Sequence, residues 1–413
     1  MKKFNLSFLY FILIASLAIG EQNNVSVLTL SRCLNMAQDK SYEIKIQSEK
    51  RMQAEQRLKQ SKGGLLPELS YKYSRFYEDT AGGENDSEGA DSYFTVSQPL
   101  FYGFSKKEAV NLSKNDIKKE EFQSKSVLRT LKAEVIQSFY SVIQAETNIV
   151  NIQNTLKIMQ DRMQELNERA RLGKSRESEM LAVESQIATL VAQQEKTEGE
   201  RAKNIETLSR LIGVDSSVLK LSDDTPVVED AGTLEKYLET VKNRSDVEVA
   251  RQDAIIQNSK VRITEGSMLP TLNLDGSWYT LRNGNSSDWN VLATLEMPLF
   301  QGGILRGKVK EEISRRQELE NKISLITRDA TAEVKKLYKT LASSINQVTA
   351  YKNAFNKSEK SYQFQLRDYK LGLVNNLDVI QAMTLMSDAK LNLDKALIQV
   401  KSDKAILDNA VEQ

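Results

Sequence analysis

The chain reads as a mainly α-helical protein with a small β part, in which one unit is used twice. Two long stretches of the 413-residue sequence open on Pro-Leu-Phe, at Pro99-Leu100-Phe101 and Pro298-Leu299-Phe300, and run to a Leu-Gly pair, at Leu172-Gly173 and Leu371-Gly372. Gly and Pro are almost absent between, and a helix filling most of either stretch would be about 100 Å long at 1.5 Å per residue. Of the five prolines, Pro67 and Pro270 match, Pro99 and Pro298 match, and Pro226 falls between the halves. Duplication accounts for that placement. Short segments after Pro67 and Pro270 alternate apolar and polar residues with period two, as strands do.

Composition narrows the function. Lys and Arg number 57 against 56 Asp and Glu, which argues against a nucleic-acid partner. There is no His and one cysteine, Cys33. The chain therefore has no imidazole for acid–base work or metal ligation and no internal disulfide. No convergent nucleophile–base set is visible, so neither an enzyme nor a cofactor is expected.

Residues 1–20 have the form of a cleaved secretory signal: Lys2 and Lys3, an apolar core from Leu6 to Ile19, and small residues at Ala18-Ile19-Gly20. The apolar run is shorter than the roughly 20 residues of a spanning helix. No other stretch is long and apolar enough, so a membrane crossing would fall to strands.

The first repeat, 21–213, starts with a helix from Thr29 to near Lys62 that stops at Gly63-Gly64. The second, 233–413, copies it: Leu238, Val241, Ser245 and Val247 match Leu34, Ala37, Ser41 and Glu43 at a constant offset, and the copy ends at Gly266. Hairpins follow at 69–98 and 272–297. Leu69, Tyr71, Tyr73, Arg75 and Tyr77 lie on one face of the first, and Trp289, Val291, Ala293, Leu295 and Met297 on one face of the second, where Leu292 breaks the alternation. One apolar face in segments of about ten residues suits a bilayer-spanning strand, with Tyr71, Tyr73, Trp278 and Trp289 as interface girdles. Two soluble hairpins would carry the same alternation. The loop between the first two strands is acidic, with Glu78, Asp79, Glu84, Asp86, Glu88 and Asp91.

Long helices follow at 104–172 and 304–370. Ile149, Ile152, Leu156, Met159, Met163, Leu166 and Ala170 step by threes and fours, a heptad seam. At each Leu-Gly the chain turns into a return helix, 177–212 and 377–410, glycine supplying the left-handed conformation of a helix end. Residues 214–232 form the connector, expected as a belt around the helices. Four strands cannot close a barrel and open edges are not tolerated in lipid. Membrane-spanning strands would therefore require several chains, and the count of three comes mainly from the family resemblance given below.

Leu66-Pro67, Pro99-Leu100-Phe101-Tyr102-Gly103, Pro298-Leu299-Phe300-Gln301-Gly302-Gly303, Tyr369-Lys370-Leu371-Gly372 and Leu377-Asp378-Val379 resemble the TolC-like outer-membrane efflux protein family over essentially the whole mature chain. The resemblance implies a homotrimer with a twelve-stranded barrel in outer-membrane lipid and a long α-helical tunnel across the periplasm. It implies work with a periplasmic adaptor and an inner-membrane transporter, to expel drugs or secreted proteins. It further implies a periplasmic gate at the helix turns. Asp378 takes the place of the first acid of an inward-facing ring, where a divalent cation could bind, and Gln381 takes the place of the second acid, a departure from the family. Tyr369 matches a tyrosine that ties inner to outer coiled coil, and Glu179 the acid that receives such ties. Val374 stands where well-studied members have arginine. Leu172, Gly173, Lys174, Leu371, Gly372 and Leu373 fall at the turns that meet the adaptor. As helix-start acids, Glu179 and Asp378 would also serve the helix dipole alone.

Two other classes share some features. A periplasmic adaptor has an export signal and a coiled-coil hairpin, but one hairpin flanked by Gly-rich β-domains, whereas this chain repeats its hairpin. A structural coiled coil would lack the alternating Tyr and Trp strands.

Overall fold

The computed structural model describes residues 27–78, 87–173, 175–282 and 288–412. The signal segment, Lys174 and the loop acids Asp79, Glu84 and Asp86 lie outside the described residues. The elements follow one another as one series used twice. The first is α1 (Leu30–Lys40), α2 (Tyr42–Gly63), β1 (Glu68–Glu78), β2 (Ser87–Tyr102), α3 (Ser105–Arg171) and α4 (Glu177–Ile212). The second is α5 (Leu234–Val241), α6 (Ser245–Gly266), β3 (Thr271–Leu281), β4 (Asp288–Glu296), α7 (Ile304–Lys370) and α8 (Asn376–Ala410). Matching elements agree in length: 67 residues in α3 and α7, 22 in α2 and α6, 11 in β1 and β3.

Where the sequence suggests one helix from Thr29 to Lys62, the structure has two. Ser41, with ψ of 129°, leaves the helix, and its hydroxyl accepts from the Glu43 amide at 3.1 Å to cap α2. Arg244 makes the same break between α5 and α6, with ψ of 141°. There a distant side chain caps the new helix: the Ser245 amide donates to Glu412 Oε1 at 3.0 Å. The first return strand is also longer than 92–98, running from Ser87 to Tyr102.

The strands form one antiparallel sheet in the order β1-β2-β3-β4. Its register gathers the apolar residues on one face. Leu69 pairs with Val96 and Tyr71 with Phe94, Phe94 with Trp278, and Trp278 with Trp289, Gly276 with Val291 and Leu272 with Leu295. The opposite face is mostly polar, with Thr95 meeting Ser277, and also carries the Tyr93–Tyr279 pair and Leu292. Pro99 has no N–H for the ladder, and β2 takes up that defect with a bulge between Pro99 and Phe101. Leu69, Trp289 and Leu295 are exposed despite their size.

Although they are copies, the two long helices sit differently. α3 is central and packs on α2, α4, α6 and α8, whereas α7 packs on α5, α6 and α8. Fifteen residues of α3 are buried, but only Ala330, Val334, Leu341, Ser344 and Tyr369 of α7, so α7 keeps a free face along its length. The connector crosses the bundle. Tyr140 of α3 donates to Thr225 at 3.2 Å, Lys401 of α8 to Asp223 at 2.7 Å, and Tyr338 of α7 to the Gly232 carbonyl at 2.8 Å. Beneath it lies the largest apolar cluster, with Cys33, Phe139, Leu208 and Ile212. Among the described residues no helix is long and apolar enough to cross a membrane.

Candidate functional site

The end of the bundle farthest along the chain from the sheet is made by two turns, α3 to α4 and α7 to α8. Arg169 and Arg171 in the last turn of α3, and Arg367 and Lys370 in that of α7, suit the negative end of each helix dipole. Gly173 (φ 67°) and Gly372 (φ 76°) then reverse the chain. The Leu373 amide donates to the Asp368 carbonyl at 2.9 Å, closing the second turn as a Schellman motif. Leu172, Leu371, Leu373 and Leu377 are left exposed on the turns.

Both predicted acids are engaged locally. Asp378 and Asn375 form a reciprocal capping box: the Asp378 amide donates to Asn375 Oδ1 at 3.0 Å, and the Asn375 amide to Asp378 Oδ2 at 3.1 Å. Glu179 Oε2 accepts from the Ser175 hydroxyl at 2.9 Å. Gln381 is exposed one turn beyond Asp378, and Val374 is half-buried in the turn.

Tyr369 is buried, and two arginines of α3 lie over its ring. The Arg162 guanidinium carbon is 3.9 Å from the ring centroid and that of Arg169 is 4.5 Å. Glu165 braces both: Arg162 Nη1 donates to its Oε2 at 2.6 Å, and Arg169 Nη2 is 3.2 Å from its Oε1. Arg162, itself buried, also donates from Nε to Asn376 Oδ1 at 2.8 Å. The cluster joins α3, α7 and the start of α8. Among the described residues no hydrogen bond joins Tyr369 to Glu179, so within one chain the tyrosine is held by arginine stacking. Arg162, Glu165, Arg169 and Asn376 are absent from the sequence reading. Their signal was the Arg-Glu-Arg spacing of three and four, which puts all three on one helix face. Burial pushes the nearby Tyr362 phenol up, with Glu165 adding to the rise and Arg162 opposing it.

Residues 33–214 and 237–411, both repeats and so most of the chain, match the outer membrane efflux protein family. The chain belongs to that family. Its members among the curated relatives include the outer membrane protein TolC of Vibrio cholerae, 20% identical over 404 residues, covering 93% of this chain and 91% of that one. Another relative is the alkaline protease secretion protein AprF of Pseudomonas aeruginosa, 22% identical, covering 81% of this chain and 74% of that one. The fold matches the crystal structure of the outer membrane protein VceC of Vibrio cholerae with a TM-score of 0.82 at 14% identity, over 92% of this chain and 95% of that one. An outer membrane efflux protein is an export channel, and the long helices and four-stranded sheet belong to the fold this chain shares with VceC.

Proposed function

We propose that three copies of this chain form a passive conduit through the outer membrane and across the periplasm, its signal segment 1–20 removed on export. One observation carries the reading. The sheet has an apolar face exposed to its surroundings and ends in two strands, β1 and β4, with no strand beyond them among the described residues. Lipid covers the face, and neighbouring copies close the edges. The long helices continue the barrel as a tunnel.

At the turns, Asp378 and Gln381 face the pore and three copies of Asp378 form the constriction, a place for a divalent cation. Tyr369, Glu179 and Val374 set how firmly it closes. The exposed leucines at 172, 371 and 373, with Gly173, Lys174 and Gly372, meet a periplasmic adaptor that links the channel to an inner-membrane transporter. The efflux family and the secretion protein AprF among its relatives support expelled small molecules or secreted proteins as cargo. Sedimentation of the detergent-extracted, signal-cleaved protein tests the assembly: a trimer that conducts in planar bilayers is expected, and a monomer soluble without detergent overturns the reading.

A further inference from the structure

Charge is nearly balanced over the whole chain but not along it. The sheet meets the bundle through four helix ends, the last turns of α2 and α6 and the first turns of α3 and α7. The two turns of each that adjoin the sheet, residues 57–63, 260–266, 105–111 and 304–310, hold ten Lys or Arg and two acids, Glu108 and Glu265. Glu68 and Glu296, at the adjoining strand ends, still leave an excess of six positive charges in a chain whose total is +1. The excess stops there. The next two turns of each helix, residues 50–56, 253–259, 112–118 and 311–317, hold six basic residues and five acids.

Little inside the chain answers this band of charge. Among the described residues, Arg57 pairs with Asp116 and Arg262 lies 3.6 Å from Glu108, and the other eight have no carboxylate within ion-pairing distance. Lys106 stands instead over the Tyr102 ring, 5.3 Å from its centroid. Lys59, Lys62, Lys107 and Lys260 are exposed, as are Arg306, Lys308 and Lys310 at the start of α7. Like charges gathered in one band repel one another, so they call for counter-charge from outside the chain. The band also borders an apolar collar. Leu66, Leu69, Leu100, Phe104, Leu295 and Leu299 are exposed where the strands run into the helices. Apolar side chains followed within two turns by long cationic ones suit a lipid interface, where the stems lie on apolar surface and the heads reach anionic headgroups. The other end of the sheet has the reverse charge, with six acids and no Lys or Arg in residues 78–91.

We infer that this band binds the phosphates of anionic phospholipids in the leaflet on the helix-bundle side of the sheet. The inference rests on the outer-membrane reading above and adds to it a ligand class and a place. Each Lys or Arg near a charged bilayer surface strengthens the attraction about fivefold. Arg57 and Arg262, already paired with acids, contribute less than Arg306, Lys308 and Lys310. The charged heads are exposed, so salt weakens the attraction. The acids at the far end of the sheet repel the same lipids, which confines the preference to one side.

Quenching of tryptophan fluorescence by brominated lipids tests it in the reconstituted full chain. Trp289 and Leu295 lie on one face of β4, about 20 Å apart at roughly 3.3 Å per residue. Trp289 is near the acidic end and Leu295 beside the band. Trp278→Phe leaves Trp289 as the only tryptophan, and Trp278→Phe with Trp289→Phe and Leu295→Trp moves the reporter to the band. The bilayers mix phosphatidylethanolamine with phosphatidylglycerol, and one or the other is brominated. Beside the band, phosphatidylglycerol should be preferred by about fivefold or more at low salt, and at Trp289 the two lipids should quench equally. Arg306→Gln with Lys308→Gln and Lys310→Gln should bring the two lipids close to equality at the band as well. Lys352→Gln with Lys357→Gln and Lys360→Gln, exposed on the same helix about 70 Å further along it, should leave the preference intact. Equal quenching beside the band, a preference that survives its neutralisation, or the same preference at Trp289 overturns the inference and leaves the conduit standing. Quenching at neither position by either lipid would put the sheet outside the bilayer and overturn both.

Discussion

The guanidinium of Arg162 lies over the ring of Tyr369, 3.9 Å from its centroid, and that of Arg169 lies 4.5 Å from the same centroid. The tyrosine of the tip is thereby fixed by its π face. This separates two accounts of how it holds the turns. If its hydroxyl carries the tie, Tyr369→Phe should raise resting conductance. If the face carries it, Tyr369→Phe should stay near wild type while Tyr369→Leu opens the channel. The stack predicts the second pattern. A double-mutant cycle of Arg162→Met with Tyr369→Leu should give a coupling of about 1–2 kcal/mol, the range for a desolvated cation–π contact. Single-channel recording in planar bilayers measures the conductances.

The same cluster holds an unmet demand. Among the described residues, Arg162 Nη2 and Asn376 Nδ2 are both buried donors without an acceptor. Arg162 offers two parallel N–H groups on the side facing Asn376, and an amide answers them with one acceptor. Asn376→Asp supplies two, so it should tighten the turn and lower the open probability. An unchanged or higher open probability would refute that.

A second ionic cluster sits between the repeats. Asp246 at the start of α6 is largely out of water, which works against its charge. Hydrogen bonds from Arg244 and Arg129, together with their positive charges, more than offset this and hold its carboxyl at about 2. A depressed folded-state value gives stability that is complete above the ordinary carboxylate range and lost as pH falls through about 2. The shift corresponds to about 2 kcal/mol. Asp246→Asn should remove that much from denaturant stability at neutral pH, and its acid-unfolding limb should be shallower between about pH 4 and 2. Helical circular dichroism across that range checks both.

Much of this was legible in the sequence because punctuation and period are local. Matched prolines and the Leu-Gly pairs marked the duplication, and alternation, broken at Leu292, placed the strands. Ser41 escaped because one extended residue leaves the apolar spacing on either side nearly in phase. The tip cluster escaped for a different reason. The face shared by Arg162, Glu165 and Arg169 can be read from spacing, but its partner Tyr369 belongs to the other repeat, and only the packing of α7 beside α3 brings it near. Asp378 and Glu179 were located as helix-start acids. Their links to Asn375 and Ser175 required the turn geometry.

Cys33 offers a probe of the central cluster. It has no exposed surface, and burial pushes its thiol up to about 11, with nearby Arg32 opposing the rise. The thiolate is the reactive form, so the native protein should react with a disulfide reagent at pH 8 at least a hundredfold more slowly than the denatured chain. Reaction at a comparable rate would mean that α1 opens readily from Phe139 and Leu208.

The constriction is tested through charge. Asp378 is a carboxylate held at a helix start by the Asn375 amide. Under the trimeric reading three copies approach around the pore axis, where a divalent cation would be attracted by all three and impede conduction. Asp378→Asn is the informative substitution, because an asparagine carbonyl can still accept from the Asn375 amide and preserve the turn while the charge is removed. Block by a divalent cation should then be lost with little change in stability. Gln381, exposed on the next turn of the same helix, contributes no charge, so Gln381→Asp should strengthen the block by adding a second ring of acids. Val374 offers no guanidinium to brace the closed turns, so Val374→Arg should reduce resting conductance if it reaches Glu179. Single-channel recording with and without the divalent cation separates these effects. Block that survives Asp378→Asn undiminished would place Asp378 away from the constriction and confine its role to capping α8.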